Sequence, residues 1–319
     1  MNKLAFPKRL SPEVVEIDSQ DEGQRIDNFL TTYLKGVPKS FIYRILRRGE
    51  VRVNKGRIKP TYRLQQGDLV RIPPLRRGEP TNTPARPGNN LIQLLNNSIL
   101  YEEDGLLILN KPAGIAVHGG SGISFGIIEI LRAARPQAPF LELVHRLDRD
   151  TSGCLIISKK RSSLRHIHQL LREDGMEKRY LALVQGAWQG EERRVNVPLR
   201  KNVLKSGERV VRVTEEGKPS QTVFRPQRRW AEASLVEAIP LTGRTHQIRV
   251  HAAHMNQPIA GDEKYGNADF NRAMQEKGLR RLFLHAANLR FTTAAGRTIE
   301  VTAPLDPALQ PVLDALDEK

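Results

Sequence analysis

The nine residues HRLDRDTSG, at 145–153, bring one His, two Arg and two Asp together, with a Thr, a Ser and a Gly behind them. Two acids so close raise the question of which could do chemistry. A carboxylate with cations within a few ångströms stays ionised even when partly buried. Ionised and oriented, it can serve as a nucleophile or a base. Asp148 has Arg146 and Arg149 beside it in sequence, and Arg249 is a candidate third cation in space. The competing reading is an ion-paired turn, and residue types alone leave both readings of Asp148 open. For Asp150 the expectation is structural, as an N-cap or Asx-turn residue.

Other chemistries are less well supplied. His246, His251 and His254 cluster, as do His166 and His168, but at spacings unlike the i, i+4 pairs of helical zinc sites and with no adjacent carboxylate. They are expected to be structural or to contact nucleic acid. There is no G-x-S-x-G nucleophile elbow. Ser152 lies near His145 in sequence, but nothing places the two within hydrogen-bond reach. Cys154 is the single cysteine and opens an apolar run, so it belongs in a core and no internal disulfide can form. Gly119-Gly120-Ser121-Gly122 lacks the Lys-Ser/Thr ending of a P-loop and reads as a turn or a substrate-side loop. Two-carboxylate glycosidase chemistry could use Asp148 and Asp150, yet such enzymes usually draw their acids from separate elements that straddle the sugar.

The elements that must hold these residues follow from periodicity. Leu143-Val144 ends one strand and Cys154 to Ile157 forms another, so HRLDRDTSG connects two buried strands, which hold a loop rigidly yet leave it exposed. Leu106 to Leu109 reads as a strand broken by Asn110-Lys111-Pro112. FGIIEILRAARP and RSSLRHIHQLLRE carry helical spacing, and KRYLALVQG and RLFLHAANLRF read as strands. ASLVEAIPLTGRTHQIRVHAAHM reads as strand, turn and helix, with His246 and Arg249 three apart on one helix face. Short strands irregularly interleaved with helices argue for α+β with a mixed, largely antiparallel sheet.

The charge points to a partner. The chain carries 51 Lys and Arg against 35 Asp and Glu, a formal +16, which calls for a polyanion: nucleic acid or an anionic membrane face. Residues 39–77 hold twelve Lys or Arg against only Glu50 and Asp68. There Pro38 can open a helix, with Phe41, Ile42, Ile45 and Leu46 on one stripe and Ser40, Arg44 and Arg47 opposite. Gly49 stops the helix, EVRVN alternates as a strand with Val51 and Val53 on one face, and LVRIP supplies another strand after Gly67-Asp68. A basic helix face beside basic strands favours phosphate binding. Residues 75–98, rich in Pro, Gly, Asn and Thr, read as a mobile linker. No run of 18 apolar residues occurs, so no membrane helix is expected. The N-terminus lacks a secretory pattern, and the expected compartment is the cytoplasm.

GQRIDNFL at 23–30, PKSFIYRILRRGEVRVNKGRIKP at 38–60 and GDLVRI at 67–72 resemble the S4 RNA-binding domain, which implies structured RNA as the partner. HRLDRDTSG, KRYLALVQG, LTGRTHQIRVH and LFLHA resemble the RluA-type pseudouridine synthases, over roughly residues 15–305. The domains expected are an N-terminal extension (1–22), the S4-type module (23–77), the linker (78–98) and an α+β catalytic domain (99–319). The resemblance implies isomerisation of uridines in large-subunit (23S) ribosomal RNA, without metal or cofactor, by a chain expected to be a monomer away from membranes. Carried over by motif, Asp148 engages the uridine, Tyr180 packs on the uracil and Arg249 pairs with Asp148. Arg146 enters the RNA where the base left. The other RNA-contacting candidates are Lys39, Arg44, Arg47, Arg48, Arg52, Lys55 and Arg57 in the basic module, and His145, Arg244 and His246 beside the motif residues. The alternative is a non-catalytic RNA-binding or ribosome-assembly protein on the same scaffold, against which the intact set of Asp148, Tyr180 and Arg249 argues.

Overall fold

The structure is a computed structural model describing residues 12–19, 21–34, 37, 39–74, 87–119, 125–203 and 209–318. Two compact units divide between Ala85 and Arg86. The expected helix opening at Pro38 and the loop at Gly120-Ser121-Gly122 lie outside the described residues.

The first unit contains β1 (Glu13–Glu16), α1 (Ile26–Tyr33), α2 (Lys39–Arg47), β2 (Arg52–Val53), β3 (Gly56–Arg57) and β4 (Leu69–Ile72). Its antiparallel sheet has the order β1-β4-β2-β3. The stripe on α2 turns inward as spaced: Ile42, Ile45 and Leu46 are buried with Val51, Val53, Val70 and the α1 residues Ile26, Phe29 and Leu30. Gly49 ends the helix at φ +69°, a left-handed conformation that costs glycine least. Asn54 and Lys55 both take positive φ, the geometry of the two-residue hairpin turn joining β2 to β3. The stretch taken as an N-terminal extension therefore contains a strand of this sheet: β1 pairs with β4, Val15 opposite Val70. Its short run of valines between acids carried too little periodicity to be read.

The second unit contains α3 (Asn89–Asn97), β5 (Ile99–Glu102), β6 (Leu106–Lys111), α4 (Ile127–Ala134), β7 (Glu142–Leu143), β8 (Ser152–Ser158), α5 (Arg161–Arg172), β9 (Met176–Gln185), β10 (Arg193–Asn196), β11 (Leu199–Val203), β12 (Arg209–Val213), β13 (Gln221–Arg229), β14 (Ala233–Pro240), α6 (Gln247–His254), α7 (Ala268–Glu276), β15 (Leu284–Thr292), β16 (Thr298–Thr302) and α8 (Gln310–Asp317). Helix α3 falls inside the stretch expected to be a linker, because Leu95 is buried and Leu91 and Ile92 pack against the same core. The main sheet runs β10-β13-β14-β9-β15-β8-β6-β5, with β16 on β15 and β7 on β8, and β11–β12 form a separate hairpin. Its pairs are antiparallel except β8 with β15, so the sheet is mixed and largely antiparallel. Strand alternation sorts the core. On β9, Ala182 and Val184 pack with Ile248 and Ala252 of α6, while Leu183 packs with Phe270 of α7 and Val312 of α8.

The parallel contact of β8 with β15 depends on Gly153. It sits at φ +104°, and a Cβ there would lie 2.3 Å from the Ala286 carbonyl oxygen. That close approach fixes where the preceding loop, with Asp148, leaves the sheet.

Candidate active site

Asp148 lies on the loop between β7 and β8, and the loop is held from below. The turn closes by a bond from the Thr151 amide to the Asp148 carbonyl, at 3.2 Å. Lys111, at the end of β6 and fully buried, donates to the carbonyls of Pro112 (2.8 Å), Ile115 (2.8 Å) and Arg149 (2.9 Å). Three acceptors match the three hydrogens of an ammonium, although burial pushes Lys111 down to about 7. The sequence reads this residue as part of the break after Leu109, whereas β6 runs on to it. Asp150 pairs with Arg149 at 3.1 Å, in an exposed contact, in place of the cap or Asx turn expected of it.

The residues that meet Asp148 come from about a hundred residues away. Arg249 Nη1 donates to Asp148 Oδ2 at 3.0 Å, and His246 Nε2 stands 3.7 Å from Oδ1. Arg249 is itself anchored: its Nε and Nη2 donate to the two oxygens of Asp262 at 2.7 and 2.8 Å. Asp262 is buried and also accepts from the Lys264 and Tyr265 amides. Burial alone would raise the Asp262 pKa. The Arg249 hydrogen bonds and charge outweigh it, and the carboxyl is held below its ordinary range. Arg249 moves the other way: burial opposes its charge, but the two carboxylates raise its pKa. Its guanidinium also lies 5.1 Å from the centre of the Tyr265 ring.

The turn before α6 has its own anchor. Buried Gln247 accepts from Thr242 Oγ1 (2.7 Å) and the Arg244 amide (3.0 Å) and donates to the Gln221 carbonyl (2.9 Å). That holds GRTH against β13. Arg244 is exposed and donates to the Pro219 carbonyl. His246, expected on a helix face with Arg249, instead precedes the helix in a left-handed conformation (φ 52°, ψ 21°), and both side chains still reach Asp148.

Asp148, Arg244, His246, Gln247 and Arg249 line one cavity of about 410 Å³ with Arg146, Leu147, Thr151, Lys178, Tyr180, Ile248 and Leu284. Such a volume suits a small planar ligand. Tyr180 is half-buried there, and burial, with Asp148 adding to it, raises its phenol pKa. The Arg146 side chain is exposed, with no hydrogen bond or ion pair among the described residues. His145 also lines the wall, but its Nε2 accepts from the Ile156 amide, and burial pushes it down to about 4. It is thus committed to the backbone of β8.

His285, Arg281 and Asp306 were not singled out in the sequence, whereas Cys154 is buried as expected and His251 is structural. Ser152 does meet a histidine, but His285 on β15 (2.9 Å) rather than His145, and Arg281 donates to the same hydroxyl. Arg281 is tied in turn to Asp306. His251 is buried between Ser220 and Thr222. Cys154 is buried, and its thiol is pushed up to about 12.

In the first unit, Arg44 and Arg47 stand on the exposed side of α2, where Ser40, Phe41, Arg44, Arg47 and Arg48 line a second hollow. Arg44 lies over the Phe41 ring at 4.5 Å, and Arg48 stands 3.8 Å from Glu50. Arg52 bonds the carbonyls of Gly49 and Lys55, while Lys55 and Arg57 are exposed on the adjacent hairpin. Lys39 begins α2, and its side chain lies outside the described residues.

In one unit, then, an aspartate held by an arginine lines a cavity with a tyrosine, and the other unit displays a basic helix. The chain belongs to the RNA pseudouridylate synthase family, whose model matches residues 105–254, and carries an S4 domain matched at 24–70. It is 58% identical to the ribosomal large subunit pseudouridine synthase C of Escherichia coli strain K12, over 96% of this chain and 97% of that protein. It is 57% identical to the protein of the same name from Salmonella typhi, over 97% of this chain and 98% of that one. Among solved structures it is similar to human RNA pseudouridylate synthase domain containing 4 (TM-score 0.61, 25% identity, covering 72% of this chain and 96% of that one).

Proposed function

We propose that this protein isomerises uridines of large-subunit (23S) ribosomal RNA to pseudouridine, with Asp148 engaging the nucleoside. The observation that carries this reading is the Asp148 carboxylate, held at 3.0 Å by an arginine that Asp262 fixes in turn, in a cavity of about 410 Å³ that Tyr180 also lines. The ribosomal substrate is supported by the near full-length likeness to proteins named for the large ribosomal subunit.

Isomerisation breaks the N1–C1′ bond, turns the uracil and joins C5 to C1′. The C5 proton leaves and N1 gains one, so nothing is added overall. A stacked base cannot turn, and extruding it costs about a few kcal/mol. Arg146, exposed at the cavity and with no internal partner among the described residues, suits the gap in the stack. Tyr180 offers a flat surface on which the uracil can rotate. Because burial keeps that phenol protonated, the carboxylate of Asp148 is the better base for the C5 proton. The arginines of α2 supply affinity and register rather than chemistry.

The test is incubation with 23S ribosomal RNA fragments followed by pseudouridine mapping. Wild type and Asp150→Ala should form product and Asp148→Ala none. No product from wild type on any fragment overturns the proposal, and release of free uracil points to a glycosidase.

A further inference from the structure

Asp148 is gripped unevenly. Its Oδ2 has a hydrogen bond from Arg249 at 3.0 Å, while Oδ1 has no hydrogen bond among the described residues and stands 3.7 Å from His246 Nε2. The carboxylate plane is therefore set by Arg249 on one side and by whatever His246 presents on the other.

What His246 presents can be worked out from its far nitrogen. Nδ1 stands 2.8 Å from the Tyr265 hydroxyl, and that oxygen already accepts the Val211 amide at 2.9 Å. The hydroxyl hydrogen needs an acceptor, and His246 Nδ1 is the one that stands there among the described residues. With Tyr265 as the donor, Nδ1 carries the lone pair and the ring's own hydrogen sits on Nε2, the nitrogen 3.7 Å from Asp148 Oδ1. The ring is held on its Tyr265 side. The two rings meet edge to face at 5.6 Å, and His246 takes a left-handed backbone conformation unusual for a residue with a side chain. Outliers of this kind persist where the surroundings over-determine them, and here Gln247 and Tyr265 do so. Burial lowers the imidazole pKa; Asp148 and Asp262 oppose this, and Arg249 and Lys264 add to it, which favours the neutral ring. A neutral donor can orient a carboxylate without discharging it.

We infer that His246, fixed as its Nε2–H tautomer by Tyr265, is a second positioning residue for Asp148, closing from 3.7 Å onto Oδ1 when the nucleoside fills the cavity. It then acts through Asp148 rather than as one more RNA contact. The inference rests on the function proposed above, and its test separates the two.

Single-turnover rates and RNA affinity are measured on a 23S fragment for wild type, His246→Ala, His246→Gln and Tyr265→Phe, and the histidine tautomer is read from imidazole 15N shifts of the full chain. His246→Ala should lower the single-turnover rate at least about tenfold with RNA affinity within about twofold. Gln, which places an amide N–H near the Nε2 position, should restore most of the rate. Wild type should show the Nε2–H form, and Tyr265→Phe should lose that preference. Weakened RNA binding at an unchanged rate, equal losses for Ala and Gln, or an Nδ1–H tautomer in wild type would each overturn the inference. If wild type makes no pseudouridine, the proposed function fails, and the tautomer alone decides the arrangement.

Discussion

Replacing Asp262 by Asn tests whether the second carboxylate, not Asp148, carries the structural load of Arg249. Asp262 has a side-chain exposure of 1% and takes two bonds from the guanidinium at 2.7 and 2.8 Å and two from backbone amides at 2.9 and 3.0 Å. An amide keeps one acceptor and turns the other into a donor facing donors. It also leaves the buried Arg249 charge with Asp148 alone. Removing one partner of a buried, hydrogen-bonded pair costs about 3–5 kcal/mol. For a unit of this size that is a fall in Tm of about 6–20 °C. The pH dependence has a definite sign. The folded-state pKa of Asp262 lies below its ordinary 3.8, so its stabilisation is present above that value and is lost as pH falls through the lower one. Calorimetry of wild type and Asp262→Asn from pH 7 to pH 3 should show a wide gap that narrows below about pH 4. A destabilisation under about 1 kcal/mol at pH 7, or a gap that does not narrow in acid, would refute the reasoning.

Tyr180→Phe should keep the single-turnover rate within about tenfold because the phenol stays protonated, whereas Tyr180→Ala should lose about 1–3 kcal/mol of stacking in single-turnover assays. The Arg44→Ala, Arg47→Ala double variant should weaken RNA binding and reduce the slope of log affinity against log salt by about 1.4–1.8, read by titration at several salt concentrations. Gly153→Ala forces both a strained φ and a clash with the Ala286 carbonyl; it should lower stability by at least about 1–3 kcal/mol in chemical denaturation.

The sequence made some of this legible and hid the rest for identifiable reasons. The α2 stripe and the strands flanking HRLDRDTSG are local patterns, and they were readable because one face of each is buried. Asp148 stood out by residue type, but only the likeness to a known motif separated it from an ion-paired turn. Asp262 and Tyr265 lie in GDEKYG, which has no periodicity, and their meaning appears only where that loop crosses Arg249. Ser152 shows how nearness in sequence misleads: the parallel β8–β15 pair brings His285 to it from the far end of the unit. Composition misled at 89–97, where neighbouring Pro and Gly masked the apolar spacing that buries Leu95.

Lys111 places the loop in a wider class. Three carbonyl oxygens converge on its Nζ at 2.8–2.9 Å, much as oxygens converge on a bound monovalent cation. Here the group that the oxygens surround is an amine tethered to β6 by its own side chain. It cannot be chelated, dialysed away or exchanged for a competing ion. The backbone beside Asp148 thus keeps its shape whatever the ionic composition around the enzyme, even though salt weakens the phosphate contacts that bring RNA to it.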